Sequence, residues 1–437
     1  MAYREFEDIA FSRRSLLRGG AWLGAGAALS TLPMGAAFAK DSAAATNWTN
    51  VSAMVNKYGG GTLANMVAAM GWGQQAPEIL SRGTLAVGQA APAGIDSLYR
   101  IYSMTKPVTG MAAMMLIDDG KMGLDQPLAE ILPAYANMRV QKVPDGSVSD
   151  TVPVDRPITI RHLLTHTAGL GYAIIQKGPI KDAYEEMGLI PGQVSRLPIP
   201  GLGRGKSVGS LEAFADGLAT LPLVYQPGTT WSYSVSLDLL GRVIEVVSGM
   251  PFDQYLDANI FKPAGMTSTW FQVPESETSR LTANYGVMGG ALIPIDPANA
   301  SIYTDKPAFP FGGAGLVSSP RDYDRFLRML LGHGKIDGTQ VMGELAVRVG
   351  TSNLLPEAVD TTGTWANGAG FGAGGRVGLG AQAGTYGWGG AAGTVALVNM
   401  KIGLRASLYT QYMPSDAFPV HGAFPEAVLA DLAKMQG

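Results

Sequence analysis

The sequence predicts an α/β (α+β) chain interrupted by a helical stretch, and three observations point to that class. Strand-like runs stand near both ends, at residues 64–72 and 83–88 and again in "GTVALVNM" and "LRASLYTQYM". Between about 125 and 275 the apolar residues recur mostly at helical spacing, broken by Pro and Gly. The longer helical patterns also carry their own start or stop residues. At 437 residues, 46% hydrophobic and 15% charged, the chain is globular in composition and has room for two folding units or one interrupted by another.

The N-terminus reads as a targeting segment. Ser12-Arg13-Arg14-Ser15-Leu16-Leu17-Arg18 places paired arginines ahead of an uncharged run from Gly19 to Ala39, and Ala37-Phe38-Ala39 offers small residues for cleavage. The pattern is that of a twin-arginine export signal, so residues 1–39 are set aside and a periplasmic or secreted product is expected. The run is rich in Gly and Ala and contains Pro33, which argues against a membrane anchor. No later segment reaches a spanning length, so no stable membrane insertion is expected after cleavage. Cysteine is absent, which excludes disulfides and thiolate nucleophiles. A net charge of −3 without a long basic run gives no footprint for nucleic acid.

Along the chain, the first long helix is expected over roughly 103–119, stopped by Gly120. Thr159 is placed to cap a helix through "IRHLLTHT". "VSLDLLGRVIEVVSG" has Leu239, Leu240, Val243, Val246 and Val247 at helical spacing and ends at Gly249. Residues 171–209 read as an inserted loop. Ser319-Pro320 starts a helix, with the proline in its first turn. "FPEAVLADLAKM" closes the chain as a helix. The α/β part is therefore expected at about 45–120 and 295–437, and the helical part at about 121–294.

Chemistry enters at Ser103 and Lys106. Three residues apart on a helix, hydroxyl and amine share a face. Pro107 is tolerable only near the first turn, where backbone N–H groups have no partners anyway, so it pins Ser103 to the helix N-terminus. There the macrodipole favours developing negative charge. A lysine in its neutral form can take the serine proton, in a variant of serine-triad logic. No other lysine in the chain has a serine three residues earlier. Tyr233 lies just ahead of a helix, after the turn Gln226-Pro227-Gly228, and a phenol beside Ser and Lys suits a proton shuttle. Trp388-Gly389-Gly390-Ala391 stands at a strand entrance, where glycines allow a substrate close to the backbone and an N–H can complete an oxyanion hole with that of Ser103.

"SLYRIYSMTKPVTG", "LLTHTAGLGY", "QPGTTWSYSVSLDLLGRVIEVVSG", "GGAGLVSSPRDYDRFLRMLLGHG" and "WGGAAGTVALV" together resemble the serine β-lactamase class C and penicillin-binding-protein-like superfamily, and within it most of all the family VIII carboxylesterases. The resemblance covers nearly the whole mature chain, about 45–437, in order. It implies an antiparallel sheet flanked by helices, an inserted all-helical domain, and a site between the two. It also implies that Ser103 is the acylated nucleophile, Lys106 its general-base partner, Tyr233 the catalytic tyrosine, and Ala391 the source of the second oxyanion N–H. Two departures matter. Where penicillin-recognising enzymes carry Lys-Thr-Gly, this chain has Trp388 in the lysine's place, and their Tyr-x-Asn reads Tyr233-Ser234-Val235. The loss of a cation and an amide disfavours substrates with a terminal carboxylate and favours uncharged esters with short acyl chains.

Other signals compete. Gly205-Lys206-Ser207-Val208-Gly209 matches G-x-S-x-G, but "LPIPGLGR" ahead of it is a poor strand for a nucleophile elbow. Pro200 breaks the phosphate-loop pattern at the same place. His162 and His166 are four apart on the expected helix, without the glutamate of H-E-x-x-H or an evident third ligand. The expectation is an exported serine hydrolase acting on small ester substrates without metal or cofactor. A β-lactamase or D-amino-acid-specific peptidase is the alternative enzyme, and a cell-wall-binding pseudoenzyme the alternative from another class.

Overall fold

A computed structural model of the chain describes residues 47–197 and 207–435. The expected export signal lies outside the described residues. Helix α1 (Thr49–Tyr58) leads into a hairpin of β1 (Asn65–Trp72) and β2 (Glu78–Gly83), followed much later by β3 (Asn284–Met288) and β4 (Ala291–Asp296). The remaining strands named here are β5 (Gly370–Phe371), β6 (Arg376–Val377), β7 (Thr385–Gly390), β8 (Thr394–Asn399), β9 (Leu404–Tyr409) and β10 (Tyr412–Met413).

Seven of these strands form one sheet in the order β5-β6-β7-β8-β9-β1-β2, antiparallel throughout. The N-terminal hairpin is thus joined to the C-terminal strands: Ala69 of β1 faces Ser407 of β9 on one side and Ile79 of β2 on the other. Met66, Ala68 and Met70 pack with α1 and the closing helix, while Val67 joins the main core on the opposite face. A strand covered on both faces reads as a continuous apolar run, and β1 is buried along nearly all its length. Asp431, on the closing helix, accepts the Asn50 and Val51 N–H groups at 2.8 and 3.0 Å and so caps the start of α1.

The second strand differs from the sequence expectation: it runs over 78–83, not 83–88. It is an edge strand, half-exposed and carrying Glu78 and Arg82, so it lacks the apolar alternation that marks a strand. Pairing with β1, and not local pattern, defines it.

Helix α2 (Thr105–Asp118) follows a short turn at Tyr102–Met104 and crosses the main core, where most of its residues are buried. A Cβ on Gly110 would collide with the Ala373 carbonyl, so this glycine lets the helix lie directly against the loop between β5 and β6. In the middle of the chain lie α3 (Ile160–Leu164), α4 (Gly178–Glu186), α5 (Leu211–Ala219) and α6 (Ser236–Ser248). Thr159 caps α3 and Gly249 ends α6 in the left-handed conformation. This middle is not wholly helical. A hairpin pairs Arg139–Gln141 with Thr151–Pro153, and β4 runs through the boundary expected at 294/295. Helix α4 lies inside the expected loop at 171–209, held by buried Ile180 and Tyr184 one turn apart.

Helix α7 (Pro320–Leu331) starts at Ser319, whose Oγ accepts the Asp322 N–H at 3.1 Å. The closing helix α8 (Val420–Lys434) begins four residues earlier than "FPEAVLADLAKM" suggests and holds Pro425 in its second turn. Among the described residues no helix is long and apolar enough to cross a membrane.

His421 of α8 is buried and its Nε2 faces the Thr394 carbonyl of β8 at 2.8 Å. Burial pushes its pKa down to about 4, against the opposite pull of that carbonyl. The unfolded chain takes up this proton near 6.5, so the histidine's contribution is complete above that pH and is lost as pH falls toward 4. The stability gap between the wild type and His421→Gln, measured by urea unfolding, should shrink by about 3 kcal/mol between pH 7 and pH 4. A gap that stays constant would show that the ring is not buried in its neutral form.

Candidate active site

Ser103 sits in the turn that opens α2, and the backbone there is held under strain. Tyr102, directly before it, has φ 42°, a left-handed conformation that costs a bulky residue on the order of 1–2 kcal/mol. Three groups hold it. Its ring packs edge-on against Tyr303 at 6.3 Å, and its hydroxyl accepts from Asn284 Nδ2 at 3.2 Å. Just upstream, buried Arg100 donates to Asp296 at 2.6 Å and to the Thr282 carbonyl at 2.5 Å, tying the segment to β4.

One turn further on, Lys106 is fully buried, with 0% of its surface exposed. Its Nζ donates to the Gly313 carbonyl at 2.7 Å and to Ser103 Oγ at 3.3 Å, and lies 4.5 Å from the centre of the Tyr233 ring. The Tyr233 hydroxyl reaches Ser103 Oγ at 2.6 Å. The structure therefore brings together the three groups singled out in the sequence, although Tyr233 lies 130 residues away in the chain. The arrangement can move a proton off Ser103 and return it to an atom bound there.

The third segment also arrives at this place. Strand β7 carries Trp388, Gly389 and Gly390, with Ala391 immediately beyond its end. The Trp388 ring lies nearly parallel to that of Tyr233 at 5.9 Å. Gly390 abuts the Ile101 carbonyl so closely that a Cβ would collide with it. A missing side chain thus sets the end of β7 against the turn bearing Ser103.

Further residues surround the site that the sequence reading did not assign. Trp365 lies 4.5 Å from the Tyr233 ring and Tyr172 stacks on it at 5.8 Å. His166 packs at 4.9 Å, and its Nδ1 lies 3.0 Å from the Ser234 hydroxyl and 3.2 Å from the Ser234 backbone nitrogen. Burial first, and the charge of Lys106 second, hold His166 well below the usual histidine range. Asp238, in the first turn of α6, is buried, and its Oδ1 accepts the Gly313 N–H at 2.8 Å. Burial pushes its pKa up to about 7, opposed by the charge of Lys106 and by the N–H groups of Gly313 and of Asp238 itself. The signals were present in "LLTHTAGLGY", "YSVSLD" and "GGAG", but nothing local ties those stretches together.

The competing motifs lie elsewhere. Ser207 Oγ donates to the Ile190 carbonyl at 2.8 Å, and residues 198–206 ahead of it, Gly205 and Lys206 among them, lie outside the described residues. His162 and His166 do not share a helix face, because α3 ends at Leu164 and His166 turns away at φ 57°. His162 instead closes the start of α3, its Nδ1 accepting the Thr159 N–H at 3.2 Å. Among the described residues no three His, Cys, Asp or Glu side chains are grouped to hold a metal ion.

The pattern of the family described as Beta-lactamase matches residues 42–429. The chain belongs to the beta-lactamase family. Protein Rv1367c of Mycobacterium tuberculosis is 37% identical over 271 residues, a match that spans 62% of this chain and 63% of that relative's length. Esterase EstB of Burkholderia gladioli is 29% identical over 345 residues, covering 72% of this chain and 77% of the esterase. Among solved structures, EstCE1, described as a hydrolase with promiscuous acyltransferase activity, superposes with a TM-score of 0.68 at 24% identity, over 86% of this chain and 97% of that one. The fold is accordingly the β-lactamase/transpeptidase-like one, with helices around an antiparallel sheet.

The junction at Gly390 can be probed directly. Gly390→Ala should push the end of β7 away from the Ser103 turn, destabilising the fold by about 1–3 kcal/mol. In the folded fraction, modification of Ser103 by a fluorophosphonate should slow by about 10²-fold, the scale expected for an ångström of misplacement. Unchanged kinetics would separate β7 from the reaction.

Proposed function

We propose that the protein is a serine hydrolase that cleaves carboxylic esters with short acyl chains through an acyl-enzyme on Ser103. The observation that carries this reading is the convergence of Ser103 Oγ, Lys106 Nζ and Tyr233 Oη within hydrogen-bonding distance at the start of α2. In the first half-reaction the Ser103 proton passes to the Lys106–Tyr233 pair as Oγ bonds to the ester carbonyl carbon. The oxyanion is held by the N–H groups of Ser103 and Ala391. The bond from carbon to the alkoxy oxygen then breaks, and Tyr233 supplies the proton to the departing alcohol. Water repeats the sequence on the acyl group, and Ser103 recovers its proton as the acid leaves.

Two features support esters over β-lactams. The indole of Trp388 stacks on Tyr233 where penicillin-recognising relatives place a cation, and Val235 is buried in the core where they carry an asparagine. The similarity to a protein named esterase agrees with this. An alcohol in place of water would make the same acyl-enzyme an acyltransferase, the second activity for which EstCE1 is described. Export to the periplasm or medium is part of the proposal and rests on the paired arginines at Arg13 and Arg14.

A fluorophosphonate probe followed by peptide mapping should place the label on Ser103 and nowhere else. Lys106→Ala and Tyr233→Phe should each lower kcat on p-nitrophenyl butyrate by roughly 10²–10⁴-fold while the folded state persists. Label on Ser207, or full turnover by Lys106→Ala, would refute the assignment. Loss of a cephalosporin chromophore with no ester turnover would move the protein to the lactamase reading.

A further inference from the structure

The Lys106 amine is held by a segment that a carboxyl group grips from behind. Lys106 and Thr109, three residues apart on α2, donate to the successive carbonyls of Gly313 and Gly312, each at 2.7 Å. On the far side, Asp238 of α6 takes the Gly313 N–H on Oδ1. There is no room for side chains in this sandwich. A Cβ on Gly312 would lie 2.5 Å from the Leu237 carbonyl, and one on Gly313 would lie 2.5 Å from Asp238 Oδ2. One peptide segment therefore links the lysine to the carboxyl group, donor to acceptor at both ends.

The second carboxyl oxygen, Oδ2, is buried and has no hydrogen-bond partner among the described residues. Asp431 has both oxygens satisfied by Asn50 and Val51, whereas buried Asp322 likewise leaves one oxygen unpartnered; what sets Asp238 apart is the buried Lys106 amine on the other side of Gly313. An unpartnered oxygen that burial works against, facing a buried amine across one glycine, is the setting of a group that changes protonation with its neighbour.

We infer that Asp238 is a positioning residue for the acylation step: through Gly313 it aims the Lys106 amine at Ser103, and its charge acts on proton transfer in the Ser103–Lys106–Tyr233 group as a whole. The inference rests on the ester-hydrolase reading above. A neutral side chain at this place removes a negative charge from behind the coupled group, which lowers the pH at which the group as a whole can take up the serine proton.

The groups facing this pair are few. Lys106 comes from α2, and Tyr172 comes from the loop after α3, its hydroxyl pushed well up by burial first and then by Asp238 and Tyr233. His166 faces Lys106 and stays neutral. On the helices packed against α6, Arg161 is paired with Asp125 and Glu212 with Arg242, while Asp216 and Asp253 lie in solvent. The segment at 307–317 carries no charge.

The test is the pH dependence of kcat/KM for p-nitrophenyl butyrate in the wild type and in Asp238→Asn, which keeps an acceptor for the Gly313 N–H. The acid limb should move to lower pH by at least one unit in the variant. One unit below the wild-type midpoint, the rate relative to each enzyme's own plateau should then be about fivefold higher in the variant. A limb that stays in place while the plateau falls would make Asp238 a purely structural residue and overturn the inference. Should Asp238→Asn fail to fold, wild-type protein labelled with 13Cγ-aspartate decides by NMR. An Asp238 resonance, distinguished from those of the likewise buried Asp322 and Asp324, that moves together with the acid limb supports the inference, and one that stays unmoved across the limb overturns it. The two levels separate cleanly: Ser103 labelled by the fluorophosphonate with an unmoved limb refutes only the role of Asp238. An unlabelled Ser103 with no ester turnover removes the hydrolase reading and this inference together.

Discussion

Burying the amine of Lys106 is the demand that the rest of the site answers. A lysine head group without access to water must find acceptors inside the protein, and an interior built of helices and strands has few carbonyls to spare. Here one is supplied by a glycine segment threaded between α2 and α6, and the remaining neighbours are the Ser103 hydroxyl and the face of the Tyr233 ring. Each partner comes from a different part of the chain. The position of the amine therefore depends on how the helical middle docks against α2, and on how the sheet closes behind both.

Glycines make this docking possible by leaving out side chains at chosen points. Gly110 brings α2 against the loop after β5, Gly312 and Gly313 fit between α2 and α6, and Gly390 brings β7 to the Ser103 turn. At each point a Cβ would meet backbone or a buried carboxyl, neither of which yields cheaply. The strain at Tyr102 fits the same scheme. A bulky residue in the left-handed region persists only where its surroundings fix it, and here Asn284, Tyr303 and the buried Arg100–Asp296 pair do so.

Local chemistry made part of this legible in the sequence. Pro107 and Gly120 mark the two ends of α2, Thr159 and Ser319 cap their helices, and the Ser–Lys spacing places both groups on one face because a helix period does so whatever the fold. What could not be read were features defined by partners distant in the chain. The edge strand β2 takes its register from β1, and its half-exposed residues carry no strand signature. Asp238 looks like an ordinary acidic residue in the first turn of a helix, a place where the dipole favours charge. Only the fold reveals that it is buried behind Gly313. Spacing groups His166 with His162, yet a single left-handed residue turns it out of the helix and against Tyr233.

The division between machinery and selectivity follows from the same geometry. The groups that would move protons, and the residue that positions them, are all rooted in the packed interior: Lys106 in α2, Tyr233 ahead of α6, and Asp238 in the first turn of α6. None can be shifted without repacking two helices. The wall around Tyr233, by contrast, is built of aromatic rings from separate loops and strands, with Tyr172, Trp365 and Trp388 each contributing one. Flat apolar surfaces of this kind discriminate weakly between acyl groups that differ by a methylene, because each such group is worth only about 1–3 kcal/mol. They discriminate strongly against a charged carboxylate, which would lose its hydration without gaining a cation in return. On the proposed ester-hydrolase reading, tryptophan at 388 and valine at 235 would therefore turn the site from anionic substrates toward neutral ones.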